Sequence, residues 1–281
     1  MDITLVGPGR AGLSVARAAS AAGHGVVGVV ARRDEAAAEA AEYLRTEAVS
    51  LGADLPPCDL VVIAVRDDAI AVVAEALASS VARCRSAVHL SGLAGVDRLA
   101  PLASAGLAVG AFHPLQTLPT PDAGSARLAG AWIGVTTEDA ELRDRLHELA
   151  TTIGALPFDV ADDAKAVYHA AAAAAANYPL ASLVMASDLF EAAGVPWETA
   201  RPMVEAVVDN AFSIGPRSAL TGPVARGDVA TVAAQLDAVH RHAPEWLASF
   251  ASAVSELARI TGRGEAFADL LADWRPPASE R

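Results

Sequence analysis

Cysteine is scarce: Cys58 and Cys84 are the only two in 281 residues, they form no C-x-x-C pair, and no Cys/His cluster has zinc spacing. Neither a disulfide framework nor a structural metal is indicated, and a reducing cytoplasm is the compartment that fits. Basic residues are outnumbered, 21 against 34 acidic, which leaves a formal net charge of −13. A field of that sign repels phosphate backbones and anionic headgroups, so neither nucleic acid nor a membrane is expected as a partner, although a local basic spot for a small anion remains allowed. Long apolar runs are scarce too. The longest weakly polar window, 170–187, is mostly alanine and carries Asn177, Pro179 and two serines; it reads as a buried helix and not as a span. The opening Met1-Asp2-Ile3-Thr4-Leu5-Val6-Gly7 has an acid where a signal peptide has Lys or Arg, and reads as a strand. What is present is 53% hydrophobic residues in a chain of about two domains' length, which excludes disorder for most of it.

Two kinds of patterning divide the chain. Through residue 160, short β-branched runs (3–6, 25–30, 60–65, 86–90, 107–112, 131–136 and 155–160) alternate with Ala-rich helical stretches (11–22, 34–45, 68–82, 96–105 and 138–153). That alternation predicts βαβ units and an α/β fold with a doubly wound parallel sheet. From 161 to 281 the strand signal disappears and helices are expected at 162–193, broken at Pro179, then at 197–214, 228–238 and 244–261. The boundary at 160/161 separates a Rossmann-type domain, 1–160, from an all-α domain, 161–281. The alanine run 171–176 implies close approach, by a packed helix or by a ligand.

Gly7-Pro8-Gly9-Arg10-Ala11-Gly12 is G-x-G-x-x-G placed between the first strand and the first helix. Gly7 would make the tight turn, Gly9 would let backbone approach a pyrophosphate, and Gly12 would let helix and strand pack closely. About 20 residues after Gly12, where NAD sites place an acidic residue for the ribose, this chain has Arg32 and Arg33. Guanidinium groups there favour a 2′-phosphate, so NADP(H) is the expected cofactor. Asp34 is a ribose ligand or, better, the cap of the next helix. Val65 and Arg66, ending another buried strand, are placed beside the dinucleotide; Arg66 either touches phosphate or is solvated.

Two further loops leave the same sheet edge, one at 89–95 with Ser91 and Gly92, the other at 113–117 with His113-Pro114-Leu115-Gln116-Thr117. Ser91 and the amides around Gly92 could hold a carboxylate or carbonyl oxygen, and His113 could donate to a substrate. At 100° per residue, Lys165, His169 and Asn177 share an arc of about 120° on one helix face, with Tyr168 pointing elsewhere. Burying such a stripe costs several kcal/mol unless it is paired or faces a wet cleft; the other reading is a solvated face. Residues 220–228 form a glycine-bearing loop with Asp228 as the cap of the following helix.

These residues together resemble the Rossmann-like oxidoreductases with a C-terminal helical domain of unknown function and a His-Pro-Leu-Gln-Thr loop. The matching segments are 7–12, 89–95, 113–117, Tyr168-His169 with Asn177-Tyr178, and 221–228; where that family carries Thr, this chain has Leu90. The wider group is similar to ketopantoate reductase, pyrroline-5-carboxylate reductase, β-hydroxyacid dehydrogenases and prephenate dehydrogenase. The resemblance implies a 6-phosphogluconate-dehydrogenase-like architecture, hydride transfer between NADP(H) and a small carboxylate-bearing substrate, and a homodimer formed through the helical domain. The leading expectation is an NADPH-dependent reductase of a small 2-oxo acid, with ketopantoate tested first, or of an imine. Lys165 or His169 would supply the proton, and Asn177, Ser91 and His113 would orient the substrate. The alternatives are an NADP-dependent dehydrogenase of a 3-hydroxy acid or prephenate-like compound, and a non-catalytic NADP(H) sensor or structural subunit.

Overall fold

A computed structural model describes residues 1–274. The first half alternates β1 (Asp2–Val6), α1 (Arg10–Ala21), β2 (Gly25–Ala31), α2 (Asp34–Leu44), β3 (Ala48–Ser50), β4 (Cys58–Ile63), α3 (Ile70–Leu77), β5 (Cys84–His89), α4 (Ala100–Ser104) and β6 (Ala108–Leu115). It continues through α5 (Pro121–Leu128), β7 (Trp132–Thr136), α6 (Ala140–Thr152) and β8 (Leu156–Asp159). Helices follow: α7 (Lys165–Ala192), α8 (Arg201–Ile214), α9 (Pro223–Arg226), α10 (Val229–His242), α11 (Leu247–Ile260) and α12 (Gly264–Asp273). An N-terminal, mostly parallel α/β sheet followed by a helical region is the 6-phosphogluconate-dehydrogenase-like architecture.

The eight strands run in the order β3-β2-β1-β4-β5-β6-β7-β8, reversing direction of travel between β1 and β4. Ligands bind outside the carboxyl ends of the strands at such a reversal. Alternation along β4 shows why both faces are covered. Leu60 and Val62 join Val15, Leu128 and Leu146 in one core, whereas Val61 and Ile63 join Ile70, Leu77 and Leu102 in the other. Strands buried on both sides read as continuous apolar runs, and helices from α1 and α3 onward close the two faces.

Several details depart from the expected pattern. The sheet is not wholly parallel, because β7 pairs antiparallel with β6. That pairing carries β6 past residue 112, so His113, Pro114 and Leu115 lie in the strand and not in a loop. Pro114 is tolerated because β5 pairs with β6 only as far as Ala111, leaving one side of Pro114 without a strand neighbour that would need an N–H. The short strand β3 and helix α5 carried too little apolar pattern to be read. Asp34 is the first residue of α2 and not its cap; Arg33 takes the cap position without a side-chain bond, while Asp34 accepts from the Ser50 hydroxyl at 3.3 Å. Helix α7 is not broken at Pro179. Residues 174–182 are exposed, so water reaches the carbonyl that proline leaves without a donor. Nor is α7 the expected buried helix: Lys165 is its one buried residue.

The chain separates into two compact units, Met1–Ala175 and the part from Ala176 onward. Composition changes where the strands stop, near 161, but the first turns of α7 still belong to the sheet unit. In the second unit Val232, Leu236, Val254 and Phe267 form a small core that joins α10, α11 and α12, and Trp246 Nε1 donates to the Asp188 carboxylate at 2.8 Å. Asp228 caps α10 as expected, accepting from Thr231 N–H at 3.1 Å.

Candidate functional site

The turn after β1 assigns each glycine a separate task. Gly7 adopts φ +92°, and a Cβ there would stand 2.6 Å from the Ala64 carbonyl oxygen. Its N–H donates to Val30 O at 2.9 Å, and Gly9 N–H donates back to Gly7 O at 2.9 Å, closing the turn. A Cβ on Gly12 would lie 2.6 Å from Gly7 O and 2.7 Å from the Ala64 methyl, so helix and strand touch through that position. Gly9 differs: a Cβ would meet only Ala64 O, at 4.0 Å. It caps α1 in an extended conformation with no side chain on the first helical amides, which leaves open space in front of unpaired N–H donors at the positive end of a helix.

Around this turn the other expected residues fall as follows. Pro8 and Ala11 are half-buried and Arg10 is exposed. Val65 flanks the turn, its Cγ1 2.7 Å from the Gly7 Cβ position. Arg32 and Arg33 are exposed at the end of β2, and among the described residues no carboxylate is within ion-pair distance of either. Arg66 is committed to Asp68, donating from Nε at 3.1 Å and from the second guanidinium nitrogen at 2.8 Å. The residues present suit a dinucleotide with a 2′-phosphate: an open glycine under free amides, and two unpaired guanidinium groups one strand away.

The second cluster stands further along the same edge, on β5, β6 and the start of α7. His89 is fully buried; its Nδ1 accepts from Ser91 N–H at 3.2 Å and its Nε2–H donates to Gly95 O at 3.3 Å, which fixes the tautomer and folds the 90–95 loop. Burial, helped by the nearby Lys165 charge, pulls His89 down to about 4, so it is neutral at pH 7. Ser91 Oγ accepts from Leu93 N–H at 3.1 Å and Ala94 N–H at 2.9 Å. Its lone pairs therefore serve the loop, and its hydroxyl proton is what remains for a ligand. Asp162 completes the clamp by accepting from Val96 N–H at 3.0 Å.

Lys165 is 2% exposed, and its Nζ donates to the Ser91 carbonyl at 3.1 Å. Burial holds its pKa below the ordinary lysine value despite the opposing charges of Asp162 and Asp67, neither of which reaches ion-pair distance. An ammonium has three N–H donors, so a buried one with a single protein acceptor retains two.

His113 Nδ1 and the Tyr168 hydroxyl are 2.7 Å apart. Burial, followed by the His169 and Lys165 charges, lowers His113 to about 4, and burial raises Tyr168 to about 12. Near neutrality the phenol keeps its proton and the imidazole is uncharged. Tyr168, which the helical wheel sent elsewhere, thus belongs to the cluster: at −60° from Lys165 it reaches β6 from one side while His169, at +40°, reaches it from the other. The His113 and His169 rings lie 6.1 Å apart. Gly92 is wedged between them, with a Cβ there only 2.8 Å from both His113 Nε2 and His169 Cδ2. Gly134, opposite His113 in the β6–β7 pairing, leaves room for the Tyr168 hydroxyl.

Ser91, His113, Lys165 and His169 are therefore brought together in the first unit. Asn177 belongs to the second unit, where it is exposed. Gly134 and Tyr168 had no site role in the reading of the residues, and Gly92 entered it only for its backbone amides. The signal for Tyr168 was its adjacency to His169, but nothing local announced that an antiparallel strand would put Gly134 beneath it.

Strand order and the glycine turn at the reversal define a Rossmann-type α/β fold, followed in the chain by a helical region. More particularly, residues 1–114 match the Rossmann-like domain, and residues 131–256 match the domain of unknown function DUF2520. No curated protein matches the sequence. Among solved structures, a Bacteroides fragilis protein assigned as an NADP oxidoreductase is similar with TM-score 0.76 at 20% identity, covering 92% of this chain and 98% of its own. An imine reductase from Streptomyces aurantiacus is similar with TM-score 0.70 at 17% identity, over 96% and 99% of the two chains. A reductive aminase from Aspergillus terreus, solved with NADPH and ethyl-5-oxohexanoate, is similar with TM-score 0.63 at 16% identity, over 97% and 98%. The fold is thus shared over 92–97% of the chain with these oxidoreductases.

Proposed function

We propose that the protein is an NADPH-dependent reductase of a small substrate with a C=N or C=O bond, an imine or a 2-oxo acid. The observation that carries this reading is Lys165, a buried ammonium with donors to spare beside the edge where the glycine turn would hold a dinucleotide. Burying that charge with one neutral acceptor costs several kcal/mol, a cost that an oxygen or nitrogen gaining negative charge next to Nζ would offset. A sensor needs no such group.

Gly9 and the first amides of α1 would hold the diphosphate, and Arg32 and Arg33 the 2′-phosphate. When bound, NADPH supplies the hydride. Lys165 Nζ donates a proton to the substrate heteroatom. The Tyr168 hydroxyl donates to His113 Nδ1, which keeps the His113 proton on Nε2 and gives the substrate a second, neutral donor. Ser91 O fixes where the ammonium sits. Absorbance of reduced nicotinamide, followed with cyclic imines, 2-oxo acids including ketopantoate, and ketone–amine pairs, tests the proposal; tight NADPH binding with no oxidation across those panels would favour the sensor.

Replacing Arg32 and Arg33 together with serine should weaken NADPH binding at least tenfold and leave NADH nearly unchanged, because each charge-assisted bond to phosphate contributes about 1.5–3 kcal/mol. Titration calorimetry with both cofactors reads this directly, and an unaltered preference would remove the arginines from cofactor selection.

The working form is further proposed to be a homodimer. Within the second unit Tyr178, Leu180 and Val184 of α7 and Met203, Val207 and Phe212 of α8 are all exposed, Phe212 to 89%. Exposed apolar side chains in that number fit an interaction surface. A second copy fits better than lipid: α7 has the length and hydropathy of a membrane span, yet Asp188 and Glu191 stand on it. Light scattering should give a dimer for the native chain and a monomer for Phe212→Glu with Val208→Glu; a native monomer that partitions into vesicles would reverse the assignment.

A further inference from the structure

Cys84 lies 26 positions after Cys58, and nothing in that spacing suggests contact. The sheet brings them together. Cys58 opens β4, Cys84 opens β5, and the two are direct partners in the parallel pairing. Neighbouring strands are about 4.8 Å apart, inside the Cα separation of about 4.4–6.8 Å that a disulfide spans. The sulfurs are 3.0 Å apart and both thiols are free, so bond formation needs a closure of about 1 Å to the disulfide length of about 2.05 Å. They lie at the amino ends of the strands, on the edge opposite the nucleotide turn, and take no part in the chemistry described above.

A second feature points at the same place. The Thr4 hydroxyl is fully buried and, among the described residues, has no hydrogen-bond partner; it lies beside Cys58, where it favours the thiolate. A buried hydroxyl without an acceptor is rare in folded proteins, and an anionic sulfur next to it supplies one. The neighbouring Cys84 sulfur, in hydrogen-bond contact at 3.0 Å, and the Thr4 hydroxyl together bring Cys58 below the ordinary thiol range against the effect of burial, while Cys84 is pushed up. One sulfur is prepared as a nucleophile and its neighbour as the resolving thiol. Cys84 is half-buried and Cys58 nearly closed off, which admits a small oxidant better than a bulky one.

We propose that Cys58 and Cys84 form a redox-active dithiol that hydroperoxides convert reversibly to an interstrand disulfide. Cys58 sulfur attacks one oxygen of hydrogen peroxide, the O–O bond breaks, and the other oxygen leaves as water with a proton, giving a sulfenic acid. Cys84 sulfur attacks Cys58 sulfur; the C–S–OH bond to oxygen breaks, and the hydroxide leaves as water with the Cys84 proton. Two thiols lose two electrons and two protons, and one peroxide becomes two waters. A dithiol reductant reverses the change.

The experiment treats the full chain with substoichiometric to modest excess hydrogen peroxide, blocks remaining thiols with an alkylating reagent under denaturing conditions, and measures intact and proteolysed masses. The expected result is an unalkylated monomer lighter by two hydrogen atoms, a peptide linking Cys58 to Cys84, and recovery of two alkylation sites after dithiothreitol. In Cys84→Ser the sulfenic acid should persist on Cys58 and be trapped by dimedone, whereas Cys58→Ser should react at least tenfold more slowly. Thr4→Val, which removes the hydroxyl and keeps the shape, should slow the native reaction severalfold. Two thiols that stay alkylatable in folded native protein, chain-to-chain linkage through Cys84, or faster trapping on Cys84 than on Cys58 would overturn the assignment.

Discussion

Replacing Lys165 with methionine should lower kcat by about 10²–10⁴-fold while leaving the dissociation constant for NADPH within about twofold, the range expected when a positioned proton donor is removed. Methionine is chosen because it fills the volume of a residue that is 2% exposed without a buried charge; removing that charge does not by itself destabilise the fold. Arginine should not rescue, since a planar guanidinium cannot occupy the pocket of a compact ammonium bonded to Ser91 O at 3.1 Å. The pH profile supplies a second reading. Burial lowers the lysine pKa, so the protonated donor is present below that shifted value and is lost as pH rises through it. The native rate should fall on the alkaline side earlier than an ordinary lysine would allow, and that limb should be missing from the residual activity of the methionine variant. Retention of turnover within threefold would remove Lys165 from the chemistry and leave it a loop anchor.

The glycine turn and its three roles were legible because they depend on local spacing: one residue at positive φ, one that must leave space, one that must vanish. The helical stripe was legible in part. Lys165 and His169 share a face at 40°, and both reach the 90–95 loop, but a wheel cannot show what lies opposite a helix. Tyr168 was sent away by that construction, although the partner it meets, His113, belongs to a strand whose extension to Leu115 was fixed by antiparallel pairing with β7. Long-range pairing also explains the thiols, which share a register position that no local pattern encodes. Helix α7 misled for another reason. Alanine-rich composition is read as burial, yet Val167, Tyr178, Leu180 and Val184 of this helix are exposed and Lys165 is its one buried residue.

Gly92→Ala tests whether the two histidines must hold their present positions. The backbone there is not left-handed, so alanine brings no conformational strain; what it brings is a methyl 2.7 Å from His113 Cε1, 2.8 Å from His113 Nε2 and 2.8 Å from His169 Cδ2. His113 has little freedom to retreat, because Tyr168 stands 2.7 Å from its other nitrogen and its backbone is paired with Gly134. His169 or the 90–95 loop has to move, and the loop carries the carbonyl that positions Lys165. Overpacking of this kind costs about 1–3 kcal/mol of stability, and displacement of a donor by about 1 Å costs on the order of 10²-fold in kcat. Truncating His169 to alanine in the Gly92→Ala background should recover part of the lost stability, with a coupling of about 0.5–3 kcal/mol between the two positions, while activity stays low if His169 itself contacts substrate and returns if it only crowds the loop. Unfolding curves separate the steric effect from the catalytic one. A Gly92→Ala protein with native stability and native kcat would mean that the imidazoles yield freely, and the His113–Tyr168 pair would then lose its claim to orient the substrate.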